Sequence, residues 1–268
     1  MTPSDTSSRS FESGLSSSRS TTARSCVVLG GSSGVGRALV SQLAARGDAV
    51  LAVARDQRDL AALQSDCLIG LGANVRIIAA DLGASDFDVA AFVKRCVDDL
   101  GHISHVFMTL GLIHADDCGL PSAEVLQSLA VVNYLRPAQL LSAFCQYFST
   151  IGRGNAMVFT SIATDAPRGR NAAYGSAKKA LEFYCRALQH YFADTKVSIQ
   201  ICALGYVDTT MSFGAKLLFP AVSPEEVAQF ALRLCRTGTR FSYFPRFWLP
   251  IIMLLKALPW SLYKKLRF

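Results

Sequence analysis

Two side chains that can exchange protons, Tyr174 and Lys178, lie four residues apart in the chain. On an α-helix this spacing places both on one face, so the sequence predicts that a phenol and an ammonium are neighbours. A nearby ammonium favours the phenolate and lowers the pKa of tyrosine, which is ordinarily about 10. Ser161 lies thirteen residues upstream of Tyr174, directly after an apolar run. An ordinary exposed helical pair is the alternative, so the meaning of the pair depends on the rest of the chain.

A glycine-rich turn near the start of the chain could bind a phosphate group. It follows an apolar run at residues 26–29 and consists of Gly31, Ser32, Ser33, Gly34, Val35 and Gly36. Glycines let the backbone turn tightly and approach a pyrophosphate, and the helix that follows directs its free N–H groups at that phosphate. Because the turn lies between a predicted strand and a predicted helix, it indicates a dinucleotide site rather than a merely tight turn.

The residues after the second and third predicted strands bear on the choice of cofactor. Arg55 directly follows the second strand, where an arginine accommodates the 2′-phosphate of NADPH. This position favours NADPH, while the adjacent Asp56 leaves NADH open, since an acid there binds ribose hydroxyls. Asp81 and Leu82 follow the third strand and are expected near the adenine, with a simple turn before a helix as the alternative for Asp81.

Short apolar runs alternate with longer amphipathic segments along most of the chain. Strands are predicted near residues 26–29, 49–53, 75–79, 103–109, 156–160, 197–203 and 241–244, and helices near 35–46, 57–71, 86–100, 122–131, 134–150, 172–193 and 224–236. Apolar strands without alternation predict a parallel sheet that is covered on both faces. The sequence therefore predicts an α/β fold, a single domain with a doubly wound parallel sheet of the Rossmann type.

Composition excludes several other classes of protein. A hydrophobic content of 51% with 18% charged residues argues against global disorder. The net charge of +7 does not indicate a nucleic-acid partner, because the excess of bases lies after Glu226, where eight bases and no acid follow. The eight cysteines include no C-x-x-C pair, which predicts buried thiols in a cytoplasmic protein rather than a metal site or disulfides. Residues 1–24 are rich in Ser and Thr and are expected to be a disordered tail, with a transit peptide as the alternative.

These motifs, in this order, resemble the short-chain dehydrogenase/reductase family over about residues 25–245. The resemblance implies an NAD(P)H-dependent enzyme that acts on a carbonyl or hydroxyl group, and it implies a homo-oligomer. It also implies that Tyr174 is the general acid and that Lys178 lowers its pKa and holds the nicotinamide ribose. Ser161 would bind the substrate oxygen, and Asn133 would hold a water that links Lys178 to solvent.

Three segments depart from the usual pattern of this family. The Thr-Gly that opens the turn is replaced by two glycines, the Asn-Asn-Ala-Gly after the fourth strand keeps only its glycine, and Leu204 replaces a proline. The positions still expected to contact the cofactor are Gly111, Gly205, Val207 and Thr209. No catalytic group is lost, so we expect an active enzyme rather than a non-catalytic nucleotide-sensing or scaffold protein.

The C-terminal segment, residues 246–268, combines aromatic, aliphatic and basic side chains without an acid. Its longest charge-free run, residues 247–255, is too short to cross a bilayer, which takes about 20 apolar residues. The composition predicts an amphipathic segment in a membrane interface, with packing on the domain or on a second subunit as the alternative. Side chains expected to enter the interface include Trp248, Trp260 and Tyr263, and the bases expected to face anionic headgroups are Lys256, Lys264, Lys265 and Arg267. A chain that ends at Phe244 is then expected to be soluble and to reduce a small ketone.

The loop after the sixth strand, residues 206–222, is expected to close over the substrate and is strongly apolar, with Met211, Phe213, Leu217, Leu218 and Phe219. Such a loop suits a lipid tail, a steroid or a long acyl chain. The C-terminal segment and two short motifs, Gly111-Leu112 and Val132-Asn133-Tyr134, are similar to those of a family member that reduces a lipid-linked keto-sugar. We therefore expect a carbonyl substrate that is apolar or lipid-linked, with a 3-keto-sphingoid or 3-oxoacyl compound as the alternative.

Overall fold

Seven parallel strands form one sheet in the computed structural model of the chain, which describes residues 23–209 and 219–266. Their order across the sheet is β3-β2-β1-β4-β5-β6-β7. The strands are β1 Ser25–Leu29, β2 Ala49–Ala54, β3 Arg76–Ala79, β4 His105–Met108, β5 Gly154–Ser161, β6 Val197–Leu204 and β7 Phe241–Phe244. Each lies within two residues of the position predicted from the sequence. The expected disordered tail, residues 1–24, lies almost wholly outside the described residues.

Helices cover both faces of this sheet. They are α1 Gly34–Ala45, α2 Gln57–Leu71, α3 Val89–Leu100, α4 Ala123–Ala130, α5 Arg136–Ile151, α6 Ala172–Tyr191, α7 Pro224–Thr237, α8 Trp248–Ala257 and α9 Trp260–Tyr263. One core cluster joins the sheet to α1, α2 and α7, and another joins its opposite face to α3, α5 and α6. Side chains of both faces are buried, which explains why the strands are apolar throughout. The predicted doubly wound α/β fold is confirmed.

The order of the strands reverses between β1 and β4, and this point positions the functional motifs. From β1 the chain moves to β2 and β3 on one side, then returns to β4 and continues to β7 on the other. Loops at the carboxyl ends of β1 and β4 diverge there and leave a crevice. Because all strands are parallel, the glycine turn after β1, the segment after β4, Ser161 at the end of β5 and Gly205 after β6 all lie at one edge.

One difference from the prediction concerns Asn133. The two helices expected at residues 122–131 and 134–150 form a continuous run, because a π-helical turn, Val131–Leu135, joins α4 to α5. Pro137 has no N–H group, so it cannot donate a hydrogen bond to the carbonyl of Asn133 four residues earlier, and its ring crowds that carbonyl. A wider turn relieves this crowding, and such turns are frequent at functional sites. The proline therefore accounts for the irregular backbone at Asn133.

The C-terminal segment packs on the domain through one side of α8. Trp248 and Ile252 are buried in a small cluster with Ile162, Ala203 and Tyr243. On the other side of α8, Met253 and Leu254 are each 64% exposed. In the part of the chain that the structure describes, no helix is both long enough and apolar enough to span a bilayer.

Candidate active site

The amine of Lys178 is a deeply buried charged group of the candidate site. The residue is 3% exposed, and its Nζ donates hydrogen bonds to the carbonyls of Leu110 at 2.7 Å and Phe159 at 3.2 Å. Burial lowers the pKa of Lys178 to about 8. An ammonium has three N–H donors, so one remains for a ligand. Those two carbonyls belong to the ends of β4 and β5, which places the ammonium at the carboxyl edge of the sheet.

Tyr174 and Ser161 meet beside this ammonium. Ser161 ends β5, and its Oγ accepts a hydrogen bond from the Ala163 N–H at 3.2 Å, within the 3-10 turn Ile162–Thr164. Burial raises the pKa of Tyr174, and its hydrogen bond with Ser161 offsets only part of that rise. We expected Lys178 to lower this pKa, but desolvation of the phenol raises it instead. Ser161 and Tyr174 are thus brought into contact, and Lys178 lies one helical turn after Tyr174 on α6.

Asn133 supports the segment that receives Lys178. The side chain is fully buried, accepts a hydrogen bond from the Leu112 N–H at 3.0 Å, and donates to the carbonyls of Leu112 at 2.8 Å and Leu129 at 3.0 Å. It therefore holds the backbone on one side of Gly111, while Lys178 holds Leu110 on the other. The side-chain amide is occupied by these contacts, so any water near Asn133 would have to use its backbone carbonyl.

The glycine turn after β1 is held to both neighbouring strands. The N–H groups of Gly30 and Gly31 both donate to the carbonyl of Val53, at 2.8 and 2.9 Å. From the other side, the Thr109 hydroxyl donates to the carbonyl of Leu29 at 2.8 Å. A Cβ added at Gly36 would lie 2.0 Å from the Gly30 carbonyl oxygen, so α1 can begin this close to the turn only with glycine. Thr109 is a residue that the sequence analysis missed, since it replaces an asparagine of the family pattern.

The N-terminus of α1 is left open for an anion. Ser33 is the N-cap residue of α1, and its side chain makes no capping hydrogen bond. In contrast, α2, α3, α4 and α7 are each capped by the side chain of their own N-cap residue, which are Asp56, Asp88, Ser122 and Ser223. Free N–H groups at a helix N-terminus, behind a glycine turn, fit the pyrophosphate of a dinucleotide. The residues present therefore fit the predicted cofactor.

The two residues after β2 have different environments. Asp56 accepts hydrogen bonds from the N–H groups of Arg58 at 2.7 Å and Asp59 at 3.2 Å, so its carboxylate is used to cap α2. Arg55 is exposed and makes no ion pair or hydrogen bond with any residue that the structure describes. A basic side chain thus remains available at the position expected for the 2′-phosphate.

Asp81 and Leu82 follow β3 at the same edge. One oxygen of Asp81 accepts a hydrogen bond from the Gly83 N–H at 2.9 Å, so the turn considered as the alternative for Asp81 does form. Leu82 is buried and joins the core cluster that includes β2 and α3.

The segment after β6 reaches back to the glycine turn. Val207 forms an isolated bridge with Val222, and Thr209 lies so close to Gly34 that a Cβ there would be 3.0 Å from its methyl carbon. The predicted cofactor positions after β1 and β6 are therefore neighbours. Of the apolar loop expected to cover a substrate, Met211, Phe213, Leu217 and Leu218 lie outside the described residues.

Asp117 is a second residue that the sequence analysis missed. It is fully buried, and its carboxylate accepts hydrogen bonds from the N–H groups of Ala173 at 3.0 Å and Tyr174 at 2.9 Å. Asn171, the N-cap residue of α6, has a φ of 58° and makes no side-chain cap. Asp117 thus caps the helix that carries Tyr174 and Lys178. Because Asp117 lies far upstream of α6 in the chain, no local sequence pattern indicates this role.

Other ligand chemistries find no support in the described residues. Among them, no group of three or more His, Cys, Asp or Glu side chains is arranged to hold a metal ion. All eight cysteines are free, and most are buried, as the composition predicted.

Comparisons with known proteins agree with this geometry. Residues 24–216 match the family model described as short chain dehydrogenase. The uncharacterized oxidoreductase Rv2073c of Mycobacterium tuberculosis is 29% identical over 243 residues, which cover 90% of this chain and 96% of that protein.

Two solved structures have similar folds. A bulky-bulky ketone specific alcohol dehydrogenase from Comamonas testosteroni has a TM-score of 0.74 at 20% identity, with 89% of this chain and 96% of that chain covered. A short-chain dehydrogenase from Sphingobium yanoikuyae in complex with NADPH has a TM-score of 0.74 at 22% identity, with 89% and 97% covered. At these identities the similarity of the structures establishes the fold alone.

The remote cap on α6 yields a testable prediction. Asp117→Ala should lower the free energy of unfolding by about 2 kcal/mol, because it leaves two backbone N–H groups near the site without an acceptor. It should also slow the reduction of a test ketone, since Tyr174 loses the contact that fixes its backbone. Asp88→Ala, which removes the exposed cap of α3, should cost about 1 kcal/mol and leave the rate unchanged. Denaturant unfolding and steady-state kinetics measure both effects, and equal rates for the two variants would contradict the role of Asp117.

Proposed function

The chain belongs to the short-chain dehydrogenase family and is an NAD(P)-dependent oxidoreductase, and from this premise we propose that it uses NADPH to reduce a ketone on an apolar or lipid-linked substrate at a membrane surface. The observation that carries the proposal is that Ser161, its hydrogen-bond partner Tyr174, the buried Lys178 amine and the open N-terminus of α1 all lie at the carboxyl edge of the sheet. A bound nicotinamide cofactor supplies the hydride, and the side chains of the chain itself supply the remaining steps.

In this proposal, the phenol of Tyr174 donates its proton to the ketone oxygen. A raised pKa suits that direction, because the group stays protonated near neutral pH until the substrate oxygen becomes basic. Ser161 donates a hydrogen bond to the same oxygen and stabilises the negative charge that develops on it. The positive charge of Lys178 then stabilises the phenolate left after proton transfer, while its remaining N–H group holds the ribose.

The assignment of the acid is tested by Tyr174→Phe. This variant should lose ketone reduction and keep NADPH binding, because only the transferable proton is removed. The matched control is Tyr191→Phe, which deletes the same hydroxyl from an exposed tyrosine at the far end of α6 and should keep full activity. Steady-state kinetics and the fluorescence of bound NADPH separate the two effects. Retained turnover in Tyr174→Phe would show that another group is the acid.

The preference for NADPH rests on the contrast between Arg55 and Asp56. The carboxylate that would favour NADH is committed to capping α2, whereas the guanidinium after β2 is exposed and available. A guanidinium binds a phosphate through charge-assisted, often bidentate hydrogen bonds.

Arg55→Ala should raise the KM for NADPH by about tenfold or more and leave the KM for NADH unchanged, since one hydrogen bond to a charged group contributes about 1.5–3 kcal/mol. Arg95→Ala, which removes an exposed arginine of α3, serves as the control and should change neither value. An NADPH preference that persists in Arg55→Ala would refute this mechanism.

Contact with a membrane is proposed for the exposed side of the C-terminal segment. Leu249, Met253, Leu254 and Trp260 are among its exposed apolar side chains. Lys264 and Lys265 follow them, and a base near an anionic surface contributes about 1 kcal/mol. No acid in the segment would oppose this contact.

The contacts of this segment leave fewer of its side chains for a membrane interface than its composition predicts. Trp248 is buried in the domain, Lys256 pairs with Asp165, and the Tyr263 hydroxyl donates to the carbonyl of Pro167 at 2.6 Å. The alternative of packing on the domain therefore holds for one side of the segment. The membrane proposal is confined to the other side.

The difference between the packed side and the exposed side of the segment predicts which substitutions release the protein from lipid. The double variant Met253→Glu/Leu254→Glu should lose sedimentation with anionic vesicles, because it places charges where apolar area would enter the interface. Ile69→Glu changes an equally apolar side chain of α2 that is 86% exposed, and should sediment as the unaltered chain does. Equal sedimentation of both variants would exclude this surface as the site of contact. High salt should release the unaltered chain in part, since the basic side chains are screened.

The substrate class is the remaining part of the proposal. The C-terminal segment and the two short motifs around Gly111 and Asn133 resemble decaprenylphosphoryl-2-keto-ribose reductase, which favours a lipid-linked keto-sugar. A 3-keto-sphingoid or 3-oxoacyl substrate suits the same apolar surroundings, and a non-catalytic nucleotide sensor would bind NADPH without turnover. Mass spectrometry of the lipids that accumulate in cells lacking the protein distinguishes the two substrate classes.

A further inference from the structure

Two buried carboxylates lie behind the catalytic side chains. Asp165 follows the 3-10 turn that begins after Ser161, and Glu182 lies one helical turn after Lys178 on α6. The hydroxyl of Thr164 is within hydrogen-bond distance of both, 3.3 Å from Asp165 and 3.1 Å from Glu182. This group of side chains therefore connects the turn that carries Ser161 to the helix that carries Tyr174 and Lys178.

Burying two negative charges requires cations, and one of them comes from the C-terminal segment. Lys179 contacts both carboxylates at 3.1 and 3.2 Å, and Arg186 contacts Glu182 at 3.0 Å. Lys256 of α8 contacts Asp165 at 2.6 Å. Burial acts to raise the pKa of Asp165, but its bonds to Lys256, Tyr243 and Lys179 outweigh burial and hold that pKa at about 2. Asp165 is thus ionised, and Lys256 supplies part of the compensating charge.

The turn held by Asp165 sets the position of Ser161. The N–H of Asp165 donates to the carbonyl of Ile162 at 3.0 Å, and the N–H of Ala163 donates to the Ser161 Oγ. The same turn lies directly on α6, since a Cβ added at Gly175 would be 3.0 Å from the Ala163 carbonyl oxygen. A shift of Asp165 would therefore displace the serine hydroxyl relative to the neighbouring Tyr174.

The C-terminal segment also supports the backbone that follows β6, the strand that pairs with β5 up to Ser161. A Cβ added at Gly205 would lie 2.0 Å from the indole nitrogen of Trp248, so this ring packs directly on the backbone after β6. The rings of Tyr206 and Phe219 pack edge-on against the same indole, with centroids 5.6 and 5.0 Å away. Tyr206 and Phe219 belong to the loop expected to cover a substrate.

We propose that residues 246–266 brace the active site where β5 and β6 end, with Lys256 as a positioning residue for Ser161 and Trp248 as a positioning residue for the Gly205 segment. This inference rests on the proposed reductase function and adds a requirement to it. It also replaces the sequence-based expectation that a chain ending at Phe244 keeps its activity. Removing the segment takes a cation from a buried carboxylate and the packing from the wall after β6.

The test replaces Lys256 alone, because Lys179 and Tyr243 still bind Asp165 and the fold is retained. In Lys256→Met, kcat for a small water-soluble ketone should fall by about tenfold, since a small misplacement of a reacting group costs on this order or more. The dissociation constant of NADPH should stay unchanged, because the glycine turn is untouched. Lys256→Arg should restore most of the rate by returning the charge.

The control is Lys94→Met, which breaks an ion pair with Asp98 of the same 2.6 Å length in which the carboxylate is exposed rather than buried. It should leave kcat unchanged. An unchanged kcat in Lys256→Met, or an equal loss in Lys256→Arg, would overturn the proposal.

A readout without turnover separates this inference from the proposed function. Amide hydrogen exchange at residues 161–168 should be faster in Lys256→Met than in the unaltered chain and normal in Lys94→Met, because the turn loses a contact that holds it closed. Unchanged exchange would overturn the brace. If the unaltered chain reduces no ketone, the proposed function fails, and the exchange experiment still decides whether Lys256 orders the turn.

Discussion

The buried ammonium of Lys178 is the constraint on which the site depends. A charge removed from water is tolerated only with hydrogen-bond partners, and here the partners are the carbonyls of Leu110 and Phe159 at the ends of two adjacent strands. The segment that carries the Leu110 carbonyl is held in turn by Asn133, which binds the backbone of Leu112. The geometry of the active site thus follows from satisfying one buried charge.

The helices of this protein differ in how the N–H groups at their N-termini are satisfied. Four helices, α2, α3, α4 and α7, are closed by their own Asp or Ser, as expected where a helix end only needs its N–H groups satisfied. The helix after the glycine turn is left open and can receive an anion. The helix of Tyr174 is closed by the distant Asp117 instead of its own Asn171, which ties the loop after β4 to α6.

The C-terminal segment faces two environments at once. On its inner side, Trp248 contacts the backbone of Gly205 and Lys256 pairs with Asp165, while its outer side presents apolar side chains with bases nearby. Under our proposals, a lipid surface would contact the same short helix that braces the catalytic turn. A substrate carried by that surface would then be close to the site where it reacts.

The sequence by itself determined the positions of strands and helices, because burial on both faces leaves a local apolar pattern, and it determined that Tyr174 and Lys178 share a helix face. Contacts between distant segments were decided only by the tertiary structure, as for the cap from Asp117 and the pairing of Lys256 with Asp165. The burial of Trp248 was also decided there. An apolar side chain leaves water as favourably for lipid as for a protein core, so composition alone cannot distinguish the two. In the structure, the Trp248 indole packs on the backbone of Gly205, and this contact places the side chain against the protein.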